Sequence, residues 1–178
     1  MCKDPVRSGP VMPATPHDLF TFLDRLGIEY CTVSHPALFT VEQSRALRGT
    51  IPGGHTKNLF LKDTRNAVFL VVALEDAAID LKTLHHRLGT RRFSFGDAAL
   101  MWELIGVEPG SVTPFGAIND TGCRVTVVLD DAMMEHPQLN YHPLVNTMTT
   151  TIASSDLVRF LSAIGHAPRI VPVTQRAD

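Results

Sequence analysis

The sequence predicts an α/β chain of the α+β type, with helices packed on a mixed or antiparallel sheet. Three observations predict it. Strand-like and helix-like segments interleave irregularly, and several strands are joined by short turns, which disfavours a doubly wound parallel sheet. No glycine fingerprint follows the first strand, so a dinucleotide fold is not indicated. With 178 residues and 44% hydrophobic side chains, the chain is long enough for one well-packed core. The expected division is a flexible arm over residues 1–14 and a single domain over 15–178.

The elements follow from local chemistry. Thr15-Pro16-His17-Asp18 reads as a helix start, with Thr15 as N-cap and proline in the first turn. Leu19, Phe20, Leu23 and Leu26 form one apolar face, and Gly27 stops the helix. Residues 28–33 alternate as a strand, which Ser34-His35-Pro36 breaks. Thr40-Val41-Glu42-Gln43 has capping-box spacing for a short helix to about Arg48. Leu59-Phe60-Leu61, the turn Asp63-Thr64-Arg65-Asn66 and the apolar run 67–74 predict a buried hairpin. Asp80 and Asp97 cap two further helices closed by Gly89 and Gly106, with a short strand at 91–95 between them. Residues 107–116 are rich in turn formers. Residues 123–129 and the threonine-rich 147–152 read as strands. Ser155 caps a last helix, and 170–173 is a final edge strand.

Composition excludes several classes. The net charge is -2, from 16 basic and 18 acidic side chains, which rules out a generally basic nucleic-acid coat but not a local patch. The three cysteines, Cys2, Cys31 and Cys123, form no CxxC pair, so neither a disulfide framework nor a structural zinc site is expected. Cys31 and Cys123 fall in predicted strands and are expected to be buried and inert. No stretch reads as a signal peptide or membrane span, and a cytoplasmic location is expected.

The stretch from Gly53 to Asp63 stands out. A glycine pair is followed at once by Lys57 and an apolar run, which puts this amine where a loop enters a buried hairpin. Such a lysine either snorkels to water or serves a pocket. Gly49 and Gly54 have the spacing of a phosphate loop. However, His55 and Thr56 separate Gly54 from Lys57, Asn58 stands where serine or threonine should follow, and Pro52 removes a backbone donor. A phosphate loop is therefore rejected.

Three segments line up in order: Lys57-Asn58-Leu59-Phe60, Gly110-x-x-x-Pro114, and Asn140-x-His142-Pro143 with Asn146 before a threonine-rich strand. With the opening helix and Ser34-His35-Pro36, this set resembles the YbaK-like superfamily, which includes the editing insertion of bacterial prolyl-tRNA synthetase. It is most similar to the free-standing prolyl-tRNA deacylases, over about residues 15–173. The resemblance implies a mostly antiparallel, barrel-like mixed sheet wrapped by helices. It implies hydrolysis of mischarged tRNA, foremost Ala-tRNA(Pro), with no cofactor and no metal. Lys57, Gly110 and His142 correspond to the family's catalytic positions. Asn58, Phe60, Ser111, Val112, Pro114 and Asn146 are the expected substrate-binding residues.

These residue types suit ester hydrolysis. An ammonium group and backbone N–H donors stabilise the charge that grows on the carbonyl oxygen. Glycine lets backbone approach a ligand closely, and the resemblance implies that the tRNA 2′-hydroxyl helps to activate water. A small pocket excludes proline and admits alanine. Each residue also has a plain reading: His142 as a loop histidine, Asn146 as a turn residue, Gly110 and Pro114 as shapers of a surface loop. His17, His35, His136 and His166 are read as structural or exposed, and the adjacent His85-His86 as facing different ways. Arg45, Arg48 and Lys62 form one basic group, and Lys82, Arg87, Arg91 and Arg92 a second; either binds RNA phosphates or is a solvated face. The expected partner is the acceptor end of mischarged tRNA, with transient contact to prolyl-tRNA synthetase or an elongation factor, no membrane, and a homodimer left open. The alternative function is a non-catalytic tRNA-binding or regulatory module of the same fold.

Overall fold

Strand β2 (Gly54–Asp63) pairs antiparallel with β3 (Val68–Leu74) from Thr56↔Leu74 to Lys62↔Val68. The turn between them is held by Asp63, whose Oδ1 accepts from the Arg65 and Ala67 amides at 2.8 and 3.0 Å, while Asn66 takes φ 61°. The computed structural model describes residues 12–37 and 50–174, so the helix expected over 40–48 lies outside the described residues.

Around this hairpin the chain runs α1 (Pro16–Arg25), β1 (Tyr30–Ser34), β2, β3, α2 (Leu81–Leu88), β4 (Phe93–Phe95), α3 (Ala98–Ile105), a 3-10 helix (Pro114–Asn119), β5 (Val125–Asp130), a 3-10 turn (Met133–Glu135), β6 (Gln138–Tyr141), β7 (Met148–Ala153), α4 (Ser154–Ala163) and β8 (Arg169–Val171). The sheet order is β1-β7-β6-β2-β3-β5-β8, with β4 added to β2. Pairings β1–β7, β2–β3, β2–β4 and β6–β7 are antiparallel. Pairings β2–β6, β3–β5 and β5–β8 are parallel. The sheet is therefore mixed and flanked by helices, as expected.

Two apolar layers explain why β3 reads VFLVVAL without alternation, since a strand covered on both faces is apolar throughout. Val68, Leu70 and Val72 enter the main core with Leu19 and Leu23 of α1, Leu104 and Ile105 of α3, and Leu157, Phe160 and Leu161 of α4. Phe69, Val71 and Ala73 face the other way, against Leu84 and Leu88 of α2. Phe115 anchors the main core, edge-on to Tyr141 at 5.8 Å and to Phe160 at 5.4 Å.

The caps at Thr15, Asp80 and Asp97 form as expected, and Gly89 and Gly106 close their helices in the left-handed conformation. Four expectations are corrected. Residues 13–14 are not a free arm: the Ala14 amide donates to Asn119 Oδ1 at 2.7 Å, and Ala14 packs on the core. Helix α4 starts at Ser154 after Ala153, without a side-chain cap from Ser155. Cys31 is exposed and Cys123 is disulfide-bonded, so neither is a buried inert thiol. Lys57 lies inside β2, opposite Ala73, and not in a loop before it.

Candidate active site

Strand β2 serves two neighbours on the edge away from β3. Gly54 and His55 pair with Leu139 and Asn140 of β6, and Leu61 to Asp63 pair with β4. Among the described residues, 56–60 have no strand partner on that edge, so the sheet splays there. Lys57 and Asn58 sit in the splay. The pleat points successive side chains to opposite faces. Phe60 belongs to the main core, while Leu59 and Leu61 join the layer under α2. Asn58 thus shares the main-core side, and Lys57 shares the α2 side. The Lys57 ammonium donates to the Ala77 carbonyl, in the connection between β3 and α2. Asn58 Oδ1 is buried without a hydrogen-bond partner, and so is His55 Nε2. An orphaned buried acceptor costs about 1–3 kcal/mol, which makes the splay a candidate binding place. Phe60 is only 2% exposed, and a Cβ on Gly96 would fall 2.5 Å from its ring, so Phe60 is a core residue and not a pocket wall.

The loop after α3 approaches the loop after β6. Gly110 takes φ 92°, and a Cβ there would stand 3.9 Å from Asn146 Nδ2. Ser111, Asn146, Leu144, Val107, Trp102 and Pro13 line a concavity of about 350 Å³. The Ser111 amide already donates to the Glu108 carbonyl at 3.0 Å, which removes it from the expected set of donors to substrate. Val112 packs against the main core, and Pro114 is buried at the start of the 3-10 helix that Thr113 caps. These two shape the loop from beneath. Lys57 does not line this concavity.

His142 opens the same connection that carries Asn146. Its Nδ1 lies 3.0 Å from the Met148 carbonyl. A carbonyl only accepts, so Nδ1 carries the proton and the neutral ring leaves Nε2 as a bare acceptor. Burial lowers the His142 pKa below its ordinary value, and the charge of His35 adds to this; the Met148 hydrogen bond opposes both. The rings of His35 and His142 are 6.3 Å apart. His35 is held by the Pro36 carbonyl at 2.8 Å and by Thr149 Oγ1 at 2.9 Å. Strand pairing brings them together: β1 and β7 match Ser34 to Met148, and the His35 amide donates to the Thr147 carbonyl. Beside them, Thr151 donates to Asn140 Oδ1 at 2.6 Å, and the Asn140 amide reaches the Pro52 carbonyl at 3.0 Å, tying β7 to the segment that leads into β2.

The structure therefore brings Gly110, Ser111 and Asn146 together, and His142 with His35. It sets Lys57 and Asn58 on opposite faces of β2. Sequence reasoning read His35 as structural or exposed; the Ser34-His35-Pro36 break after a strand was its only signal. His166 is structural, buried at 3.0 Å from Asp120 Oδ2. No three His, Cys, Asp or Glu side chains gather as metal ligands among the described residues. No described helix is long and apolar enough to cross a membrane.

A family model described as "Aminoacyl-tRNA editing domain" matches residues 35–160, a span that holds His35, Lys57, Gly110, His142 and Asn146. The chain belongs to the aminoacyl-tRNA editing domain family. This editing domain is similar to prolyl-tRNA synthetase associated domain-containing protein 1 of Danio rerio, at 38% identity over 86% of this chain and 85% of that protein. It is similar to the prolyl-tRNA editing protein ProX of Acetoanaerobium sticklandii, at 32% identity over 81% of this chain and 88% of the relative. A solved structure of a candidate trans-editing enzyme for prolyl tRNA synthetase shares the fold, with TM-score 0.70 at 16% identity over 90% of this chain and 97% of that one.

Proposed function

We propose that this editing domain is a free-standing deacylase that hydrolyses the ester of mischarged tRNA, with Ala-tRNA(Pro) as its main substrate. The observation that carries this reading is His142, whose Nδ1 faces the Met148 carbonyl and leaves Nε2 as the acceptor, in the same connection as Asn146, which Gly110 approaches from the loop after α3, all within the span matched by the editing family. The similarity to a prolyl-tRNA editing protein over most of both chains favours tRNA(Pro).

The chemistry runs as follows. Water bonds to the ester carbonyl carbon, the bond from that carbon to the ribose oxygen breaks, and a proton passes to the ribose oxygen, leaving free alanine and tRNA. His142 Nε2 accepts a proton or hydrogen bond from the attacking water or the ribose hydroxyl. The Gly110 amide donates toward the oxyanion, and the orphaned Asn58 Oδ1 orients the substrate by accepting from one of its N–H or O–H groups. Lys57 supplies positive charge behind the strand and fixes the connection through Ala77. Selectivity is by size, since a wall that collides with the proline ring still passes alanine.

The test is a panel of Ala-, Ser-, Cys- and Pro-charged tRNA(Pro) offered to the purified protein. Hydrolysis of Ala-tRNA(Pro) with Pro-tRNA(Pro) spared, and loss of it in His142→Ala and Lys57→Ala, is expected. Binding of tRNA without hydrolysis of any member of the panel would instead establish a non-catalytic module.

A further inference from the structure

The far end of the β2–β3 hairpin carries a second polar hollow. Thr64 of the hairpin turn, His85 and His86 of α2, and Thr90, Arg91 and Arg92 of the connection to β4 line a concavity of about 450 Å³. No carboxylate lines it. Arg92 also borders an adjoining hollow of about 360 Å³ with Lys82 and Phe93. Neighbouring cations are already engaged: Arg87 donates to the Thr174 carbonyl, and Lys62 pairs with Asp97 at 3.6 Å. Arg91 and Arg92 are exposed, and among the described residues neither pairs with a carboxylate. His85 is 9% exposed, and its Nδ1 is buried with no hydrogen-bond partner. The C-terminal end of α2 carries partial negative charge and does not itself attract an anion. Any attraction comes from the two guanidinium groups, with hydroxyls and imidazoles beside them.

We infer that this hollow is a phosphate-binding site for the RNA backbone. It deepens the editing reading and rests on it for the identity of the polymer. Planar guanidinium forks match phosphate oxygens, and Thr64 adds a short hydroxyl donor, while the Thr90 hydroxyl donates to the Arg91 carbonyl at 3.3 Å. Six residue steps along extended β2 lead from Lys57 to Asp63, which puts the hollow at the hairpin turn about 20 Å from Lys57. A ligand that reaches both places carries phosphates well away from its reactive end, as an RNA stem does and a free nucleotide does not. The net charge of -2 confines such attraction to a local patch.

The test measures binding of uncharged full-length tRNA(Pro), and of a short oligonucleotide with only its 3′-terminal nucleotides, by fluorescence anisotropy across salt. Both arginines are exposed, so Arg91→Ala/Arg92→Ala keeps the fold. The double variant is expected to weaken full-length tRNA roughly tenfold at low salt and to flatten the log–log salt slope by about 2. Binding of the oligonucleotide is expected to stay unchanged, and Arg91→Lys/Arg92→Lys to retain the wild-type salt slope. An unchanged tRNA affinity and slope in the alanine variant would overturn the inference. So would inorganic phosphate at micromolar concentration displacing tRNA, which would make the hollow a free-anion site. Because the tRNA is uncharged, the outcome is independent of whether the protein deacylates anything.

Discussion

Lys57 and Asn58 are neighbours in sequence that the pleat of β2 sends to opposite faces, one to the Ala77 carbonyl and the other to the main-core side with an unpartnered Oδ1. The two side chains therefore do separate work. Asn58 Oδ1 has no hydrogen bond to lose in the free protein, whereas Lys57 holds a connection together.

Asn58→Ala is expected to abolish or strongly reduce deacylation while leaving stability unchanged within about 0.5 kcal/mol, or raising it, because removing an orphaned buried acceptor relieves a desolvation penalty. Urea denaturation beside a deacylation assay separates the two effects. A loss of more than about 2 kcal/mol would mean that the amide has a structural partner.

His142 is expected to work as a neutral base. Its pKa is lowered below the ordinary 6.5, chiefly by burial and further by His35. The rate should therefore fall on acidification through a value under 6.5 and lie flat above it. His35→Gln removes the like charge and should move the inflection upward. The pH–rate profile and NMR titration of the His142 ring protons both read it, and an inflection that stays in place would separate the two rings electrostatically.

The pair His166–Asp120 should be costly to break, since both side chains are 2% exposed and 3.0 Å apart. Truncation to His166→Ala leaves a buried carboxylate without its imidazole, and a loss of about 3–5 kcal/mol is expected in chemical denaturation. Burial pushes the Asp120 pKa up, but the hydrogen bonds from His166 and from the Val125 and Arg124 amides outweigh it and leave the value lowered from 3.8. A depressed folded value means that this contribution is present above the unfolded pKa and is lost as pH falls below 3.8 through the folded one. The wild type should thus unfold in acid at lower pH than His166→Gln.

Gly96→Ala should destabilise by about 1–3 kcal/mol, the range for overpacking. The added methyl would meet Phe60 Cδ1 at 2.5 Å in the core where β4 leaves β2. Thermal melts of Gly96→Ala and of the relieving pair Gly96→Ala/Phe60→Leu check this. Rescue in the double variant is expected.

The helix starts were legible because a cap is a local event: Thr15, Asp80 and Asp97 each accept a hydrogen bond from an amide within three residues. Ser155 misled because the chain turns helical two residues earlier than a cap there would allow, with Ala153 at the N-cap position, where tertiary packing of Leu157 and Phe160 decides. The polar run His55-Thr56-Lys57-Asn58 did not read as strand since it lacks apolar alternation; pairing with β3 and β6 makes it one. The same holds for the site. Gly110, His142 and Asn146 were found as a motif set. The approach of His35 to His142 comes from the register of β1 on β7, over a sequence separation that no local pattern encodes.

One strand holds β6, β3 and β4 at once. A cut just after β2 separates it from β3, β4 and β6 and breaks its three backbone ladders at once, whereas a cut just before it breaks only the ladder of β1 on β7. Extra sequence is best tolerated beyond β1 and β8, where the hydrogen-bonded path already ends.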